Sequence, residues 1–202
     1  MELKTNSQAH QDIFAALILR KTNGYFLDIG CSEPIGHNNT FLLESQLNFN
    51  GILIDYEKEK IDWCQKVRSP LNKYLCIDLR NKPISEILEE NKAPSVIDYV
   101  SFDADTVDIL LARTFPFSKY EIGCFTFEHD AYTQGSAVRD ESREIFKKNG
   151  YSIVFGDIDY DHGYFEDWYI NNKLAGHLRL FKPIAEKIHH RNAIGLLNNI
   201  LQ

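Results

Sequence analysis

The stretch FLDIGCSEPIGHNNT (26–40) decides how this chain is read. Its opening residues continue a β-branched and aromatic run from Tyr25, which ends in Asp28-Ile29-Gly30, as a strand feeding a ligand loop should. A pyrophosphate-binding loop carries further glycines there, because backbone N–H groups must approach the phosphates closely. This chain has Glu33-Pro34 instead. Pro34 removes a donor N–H, and Asp28 and Glu33 put carboxylates where an anion would sit. S-adenosylmethionine carries a sulfonium and an α-ammonium group and no phosphate, so it suits this loop better than a dinucleotide.

Outward from the loop, strand-like runs alternate with helical ones. The runs at 25–29, 51–56, 74–79, 96–103, 122–128, 151–157 and 167–170 are rich in Ile, Val, Phe and Tyr. The segments at 8–21, 38–48, 57–67, 84–91, 106–113 and 136–149 carry helical patterning. Ile13, Phe14, Leu17 and Ile18 share one face of the first, and Ser7 stands where a cap belongs. This alternation predicts right-handed crossovers and an α/β fold with a mainly parallel sheet. One of the last two strands is expected to run antiparallel at an edge. Residues 1–22 read as a leading helix, and 171–202 as a helical tail containing the basic stretch KPIAEKIHHRN. No linker divides the 202 residues, so a single domain is expected.

The chain is 44% hydrophobic and has a net charge of -7, which supports a packed core and disfavours nucleic acid as a general partner. No apolar run reaches the ~18 residues of a membrane span, and the N-terminus has no secretory pattern. Cys31, Cys64, Cys76 and Cys124 form no CxxC pair. They read as free thiols, three of them in apolar or strand-like runs, and the expected location is the cytoplasm. Oligomeric state is left open by the sequence.

Ligands of such sheets bind beyond the carboxyl ends of the strands. Asp28 and Gly30 end the first strand. Asp55 ends the second, where an acid can accept from ribose hydroxyls. Asp78 ends the third, and can accept from an adenine amino group or serve its own loop. Asp103 and Asp105 end the fourth strand, and Glu128, His129 and Asp130 the fifth. Adjacent strands lie about 4.8 Å apart, so these groups can converge over a transferred methyl. An alcohol acceptor needs its proton removed, and His129 with an orienting carboxylate would be a suitable base. Plainer roles are open too: Asp103 can cap a helix near Thr106, and Glu128 can pair with Arg139 or Arg143. The stretch DYDHGYFEDWY (159–169) mixes acids and aromatics, so Glu166, Asp167 and Trp168 are candidate substrate contacts unless they form a buried strand. His37 reads as the start of a helix, and His162, His177, His189 and His190 receive no role.

Several words resemble the FkbM-type S-adenosylmethionine-dependent methyltransferases. They are SQAHQD (7–12), NGYFLDIGCSEPIGHNNTFLLES (23–45), GILIDYEKE (51–59), IDYVSFDADTVDILL (97–111), FTFEHDAY (125–132), KNGY (148–151) and EDWYI (166–170). The resemblance implies a Rossmann-like, seven-stranded class I methyltransferase fold with helices on both faces. It also implies methylation of an oxygen on a sugar, lipid-linked or other small hydroxylated acceptor. Residue by residue, it assigns Asp28, Gly30, Asn39, Thr40 and Asp55 to the cofactor, with Gln8, Gln11 and Asp12 as the polar word of the leading helix. The chain departs from the family pattern at Cys31-Ser32-Glu33-Pro34 and at Asp105-Thr106, where Glu-Gly is common; Asp105 keeps the acid as a candidate substrate contact. Metal-dependent catechol-type methyltransferases are similar in layout, and by that analogy Asp103, Glu128 and His129 can hold a divalent cation, magnesium or manganese. An NAD-type oxidoreductase and a non-catalytic binding protein on the same fold remain alternatives.

Overall fold

The computed structural model describes residues 3–161, 163–178, 180 and 183–201, with Thr106 as backbone only. His162, with Arg179, Phe181, Lys182 and Gln202 of the tail, lies outside the described residues.

The chain runs α1 (Gln11–Leu19), β1 (Tyr25–Ile29), α2 (Phe41–Leu47), β2 (Asn50–Asp55), α3 (Lys58–Val67), β3 (Lys73–Cys76), α4 (Ile84–Glu90) and β4 (Val96–Phe102). After a 3-10 turn at Asp105–Val107 come α5 (Asp108–Thr114), β5 (Glu121–Glu128), α6 (Ala131–Gln134), α7 (Ala137–Lys148) and β6 (Tyr151–Asp159). β7 (Tyr164–Asn171), α8 (Asn172–Leu178), β8 (Ala185–His189) and α9 (His190–Leu201) complete it.

The strands form one sheet in the order β3-β2-β1-β4-β5-β7-β6-β8. β1 to β5 are parallel to one another, β7 is antiparallel to β5 and β6, and β8 returns parallel to β6. Three expectations are corrected. The sheet has eight strands, not seven. The antiparallel strand lies inside the sheet, between β5 and β6, and not at an edge. The stretch expected to continue a helical tail supplies β8, because β6 has an open row of backbone donors and acceptors that Ala185–His189 fills.

The central strands read as continuous apolar runs because both of their faces are covered. On one face α1, α2, α3 and α9 bury Phe14, Leu43, Cys64 and Leu197 around Trp168. On the other, α4, α5 and α7 bury Ile87, Leu111 and Phe146 against Phe102 and Phe125. Phe125 stacks on Tyr169, with centroids 4.7 Å apart and planes 11° from parallel. Strand order reverses between β1 and β4, which opens a crevice at their carboxyl ends.

Candidate functional site

Gly30 makes that crevice possible. Its N–H donates to the Ile54 carbonyl at 2.9 Å, its φ is +80°, and a Cβ there would lie 1.6 Å from the Asp103 carbonyl oxygen. Any side chain would strike the backbone of β4's loop and would strain the turn as well. Beyond Gly30 lies a cavity of about 450 Å³. Five carboxylates line it: Glu33, Asp55, Asp78, Asp103 and Asp105. Lys60 and Arg80 are its cationic residues, and Arg80 is already engaged with Asp78 through paired contacts at 2.8–3.1 Å. Those contacts hold the Asp78 carboxyl below its usual range.

Asp55 is nearly buried. Its oxygens accept from the Ser32 and Glu57 amides at 3.1 and 2.9 Å, which fixes the first loop to the end of β2. Gln8 reaches the cavity from the leading segment. Asp12 holds that segment in place, accepting from Asn6 and Ser7 amides and from the Thr5 and Ser7 hydroxyls. Ser7 is therefore bound to Asp12 and does not cap α1, whose cap position is held by His10 at φ 64° with no side-chain hydrogen bond.

Other expected cofactor residues lie behind the cavity wall. Asp28 is 2% exposed; its carboxylate accepts from Thr40 Oγ1 at 2.7 Å and Asn38 Nδ2 at 3.2 Å. Burial raises its pKa, against the pull of nearby Arg68. Thr40 is turned to this buried group, and Asn39 donates to Ser101 at 2.9 Å and to Asp103 at 3.2 Å. Gln11 bridges the Ala9 amide and Glu166. None of these four residues lines the cavity. Sequence reasoning missed its two organisers. Asn38 donates to Asp28 and to the carbonyls of Cys31 and Glu33, and accepts from the Thr40 and Phe41 amides. Arg68, 4% exposed, reaches Glu44, Asn38 and Thr40 at 2.9–3.1 Å.

Asp103 and Glu128 converge as expected, and their carboxyls share a hydrogen bond. Burial and then the charge of Asp103 raise the pKa of Glu128, and burial also raises that of Asp103. Two like charges this close cannot both ionise cheaply, so the pair retains a proton. Neither plainer role holds. Asp108, not Asp103, accepts the Ala104 amide at 2.9 and 3.1 Å, and the two arginines pair elsewhere. A small cavity of about 70 Å³ adjoins the pair, lined by Asp105, Glu128 and Asp130 among others. Asp105 lines both cavities.

His129 does not join this pair at its ring nitrogens. It continues the Phe125 and Phe127 face toward α7, following the strand's period of two. Nδ1 accepts from the Ala131 amide at 3.2 Å, and Nε2 lies 3.4 Å from Asp167 and 3.8 Å from Asp157. The expected set Asp103, Glu128 and His129 therefore offers no common point for a metal ion, and His129 is not placed to take a proton over the larger cavity. Among the described residues, the clustered candidate metal ligands are His129, Asp157 and Asp167. Arg143 holds Asp167 with two contacts at 2.7 and 2.8 Å, and Arg139 reaches Asp157 at 3.1 Å. Burial pushes the Asp167 carboxyl up, but the hydrogen bonds from Arg143, helped by the adjacent His129 ring, outweigh it and hold it below the usual range. Two carboxylates against two guanidiniums leave no net charge for a cation to answer, so the residues do not fit a metal site.

The expected substrate contacts in EDW are corrected on the same grounds. Glu166, Asp167 and Trp168 are each 0–1% exposed. Alternation sends Trp168 onto Phe14 and Phe155 and Asp167 to the opposite face, so the word forms no single open surface. Glu166 lies opposite Glu128 in the sheet and accepts from Gln11 and Trp168. Tyr56, 62% exposed at the rim of the larger cavity, was not singled out, although it directly follows Asp55 at a strand end.

This strand order and crevice define the class I methyltransferase fold with one added edge strand, and solved structures agree. The chain superimposes on an O-methyltransferase from Bacillus cereus in complex with SAH, with a TM-score of 0.60, 13% identity and 84% of each chain covered. The cofactor-bound Rv0187 from MTB gives 0.60 at 9% identity, covering 85% of this chain and 82% of that one. Aeropyrum pernix fibrillarin with natively bound S-adenosyl-L-methionine gives 0.54 at 11%, covering 81% and 74%. No protein-family model matches the chain, and no curated protein matches its sequence. Among the described residues, no helix is long and apolar enough to cross a membrane.

Proposed function

We propose that this chain is an S-adenosylmethionine-dependent methyltransferase of FkbM type that methylates a hydroxyl on a small acceptor, a sugar or similar polyol. The observation that carries this reading is the carboxylate lining of the larger cavity at the strand-order reversal. Five acids favour a sulfonium and an ammonium and oppose a pyrophosphate. The short words shared with FkbM-type enzymes support the finer assignment.

In this reading Asp55 accepts from the ribose hydroxyls, Asp78 serves the adenine end, and Gln8, Gly30 and Glu33 flank the methionine end. The acceptor enters beside Asp105 and Asp130, with its oxygen in line with the methyl and sulfur. Holding that line can supply about 7–11 kcal/mol of the barrier. The half-protonated Asp103–Glu128 pair takes the alcohol's proton as the C–O bond forms and the C–S bond breaks. A carboxylate whose proton affinity is raised toward neutrality is a better base for this than an ordinary one. Charge balances: the sulfonium becomes a neutral thioether while the pair's negative charge is neutralised by the proton.

Calorimetry tests the first half. S-adenosylhomocysteine is expected to bind and NAD is not; binding of NAD alone would overturn the reading in favour of an oxidoreductase. A labelled-methyl screen over hydroxylated acceptors tests the second half. Label transferred only to amines or nucleic acid would overturn the acceptor class, and cofactor binding without transfer to any acceptor would favour a binding protein.

A further inference from the structure

The cofactor loop carries a feature that methyl transfer does not use. Cys31 follows Gly30 directly and Cys64 lies on α3; both are buried, and their sulfurs are 4.0 Å apart. Neither lines the two cavities described above. Cys31 N–H donates to the Ile54 carbonyl at 3.2 Å, and the next residue, Ser32, donates its amide to Asp55 at 3.1 Å. Cys64 also points at the Ser32 carbonyl, 3.8 Å away. The pair thus sits one residue from the Ser32–Asp55 contact that shapes the cavity.

We propose that Cys31 and Cys64 are a thiol pair that a peroxide converts to a disulfide, tying the first loop to α3 and lowering cofactor affinity. The affinity half rests on the function proposed above; the disulfide itself does not. A sulfur–sulfur bond is about 2.05 Å long, so each sulfur moves roughly 1 Å from its present contact. In this proposal Cys64 attacks first. The Cys31 S–H hydrogen bond lowers its pKa, and the Arg68 guanidinium adds to the effect, while the same hydrogen bond and burial push Cys31 up. The Cys64 thiolate attacks one peroxide oxygen, the O–O bond breaks, and hydroxide leaves a sulfenic acid. Cys31 gives its proton to that hydroxide and attacks the sulfenyl sulfur. The S–S bond forms as S–O breaks, and the second hydroxide takes up the proton that Cys64 had shed. Two thiols are oxidised by two electrons, and one peroxide becomes two waters. The exposed Cys76 would compete for oxidant, so Cys76→Ser is the background for the test.

The full chain is treated with hydrogen peroxide, its remaining thiols are alkylated, and its peptides are weighed. A Cys31–Cys64 cross-link two hydrogens lighter than the separate peptides, and released by dithiothreitol, is expected. In the same samples, affinity for S-adenosylhomocysteine should fall about tenfold or more on oxidation, a usual scale for coupled sites. It should not fall in Cys64→Ser. Absence of the cross-link under peroxide that converts Cys76 to sulfenic acid in the wild-type chain would overturn the proposal. A cross-link with unchanged affinity would overturn its regulatory half. A cross-link in a chain that binds no S-adenosylhomocysteine even when reduced would overturn the cofactor reading and leave the disulfide standing.

Discussion

Two acidic groups stand near the carboxyl end of β5, one on each face of the sheet, and they are built on opposite plans. On the α7 side, Asp157 and Asp167 meet Arg139, Arg143 and His129, and Asp167 also accepts the Asp157 amide at 2.7 Å. Every acidic oxygen there has a fixed partner, and the charges cancel. On the α1 side, Asp103 and Glu128 have each other, a shared proton, and further carboxylates nearby. The first group carries no net charge, and its one buried polar atom without a hydrogen bond among the described residues is His129 Nε2. The second keeps negative charge that no cation among the described residues neutralises, which suits the cationic cofactor proposed above. Acids alone do not distinguish the two groups; the lack, among the described residues, of a cation paired with Asp103 or Glu128 does.

The sharpest way to break this contrast is to remove one member of the balanced group. Arg143→Met leaves Asp167 buried and uncompensated, and should cost about 3–5 kcal/mol in urea unfolding. A neutral outcome would mean that the network does not hold β6, β7 and α7 together. On the unbalanced side, Asp55→Asn should weaken S-adenosylhomocysteine binding by about 1.5–3 kcal/mol, the scale of a charged hydrogen bond. Its unfolding free energy should change far less than that of Arg143→Met, and a reversed ranking would erase the distinction.

Glu128→Gln probes the shared proton. The folded pKa of Glu128 is raised above its ordinary 4.5, so the native chain keeps a proton that the unfolded chain releases. Stability therefore falls as pH rises above about 4.5. The glutamine cannot ionise, so its stability curve should be flatter from there into the alkaline range. Its melting midpoint at pH 8 should be about 2–4 °C higher, the shift that ~1 kcal/mol produces at this size. A curve that parallels the wild type would remove the pair. The smallest effect is expected from chelation: the melting midpoint should stay put after thorough metal removal, because arginines already neutralise the cluster around His129. A marked fall would show that a cation does belong there.

The parallel half of the sheet was readable because buried strands write themselves as apolar runs bounded by turns. Asp55, Asp78, Asp103 and Asp105 were readable as strand-end acids, and all four line the cavity. What escaped depended on partners distant in sequence. Arg68 meets Asn38 and Thr40 from 30 and 28 residues away, and Arg143 meets Asp167 across 24. No local pattern announces such pairs. The turning of His129 was in fact legible, since it continues the alternation of Phe125 and Phe127 away from Glu128. The same period-two rule separates Asp167 from Trp168. β8 was missed because Ala-Glu-Lys-Ile-His lacks a β-branched run; pairing with β6, not propensity, makes it a strand.

β8 also governs how safely the sheet ends. It covers β6 from Phe155 to Asp159, a stretch in which Phe155 and Ile158 are fully buried. At the opposite border β3 is four residues long, too short to template a second molecule readily. A chain trimmed ahead of Ala185 would present β6 as an unprotected, nine-residue sticky rim. Its first symptom would be clumping in concentrated solution, before any loss at the crevice on the far side of the sheet.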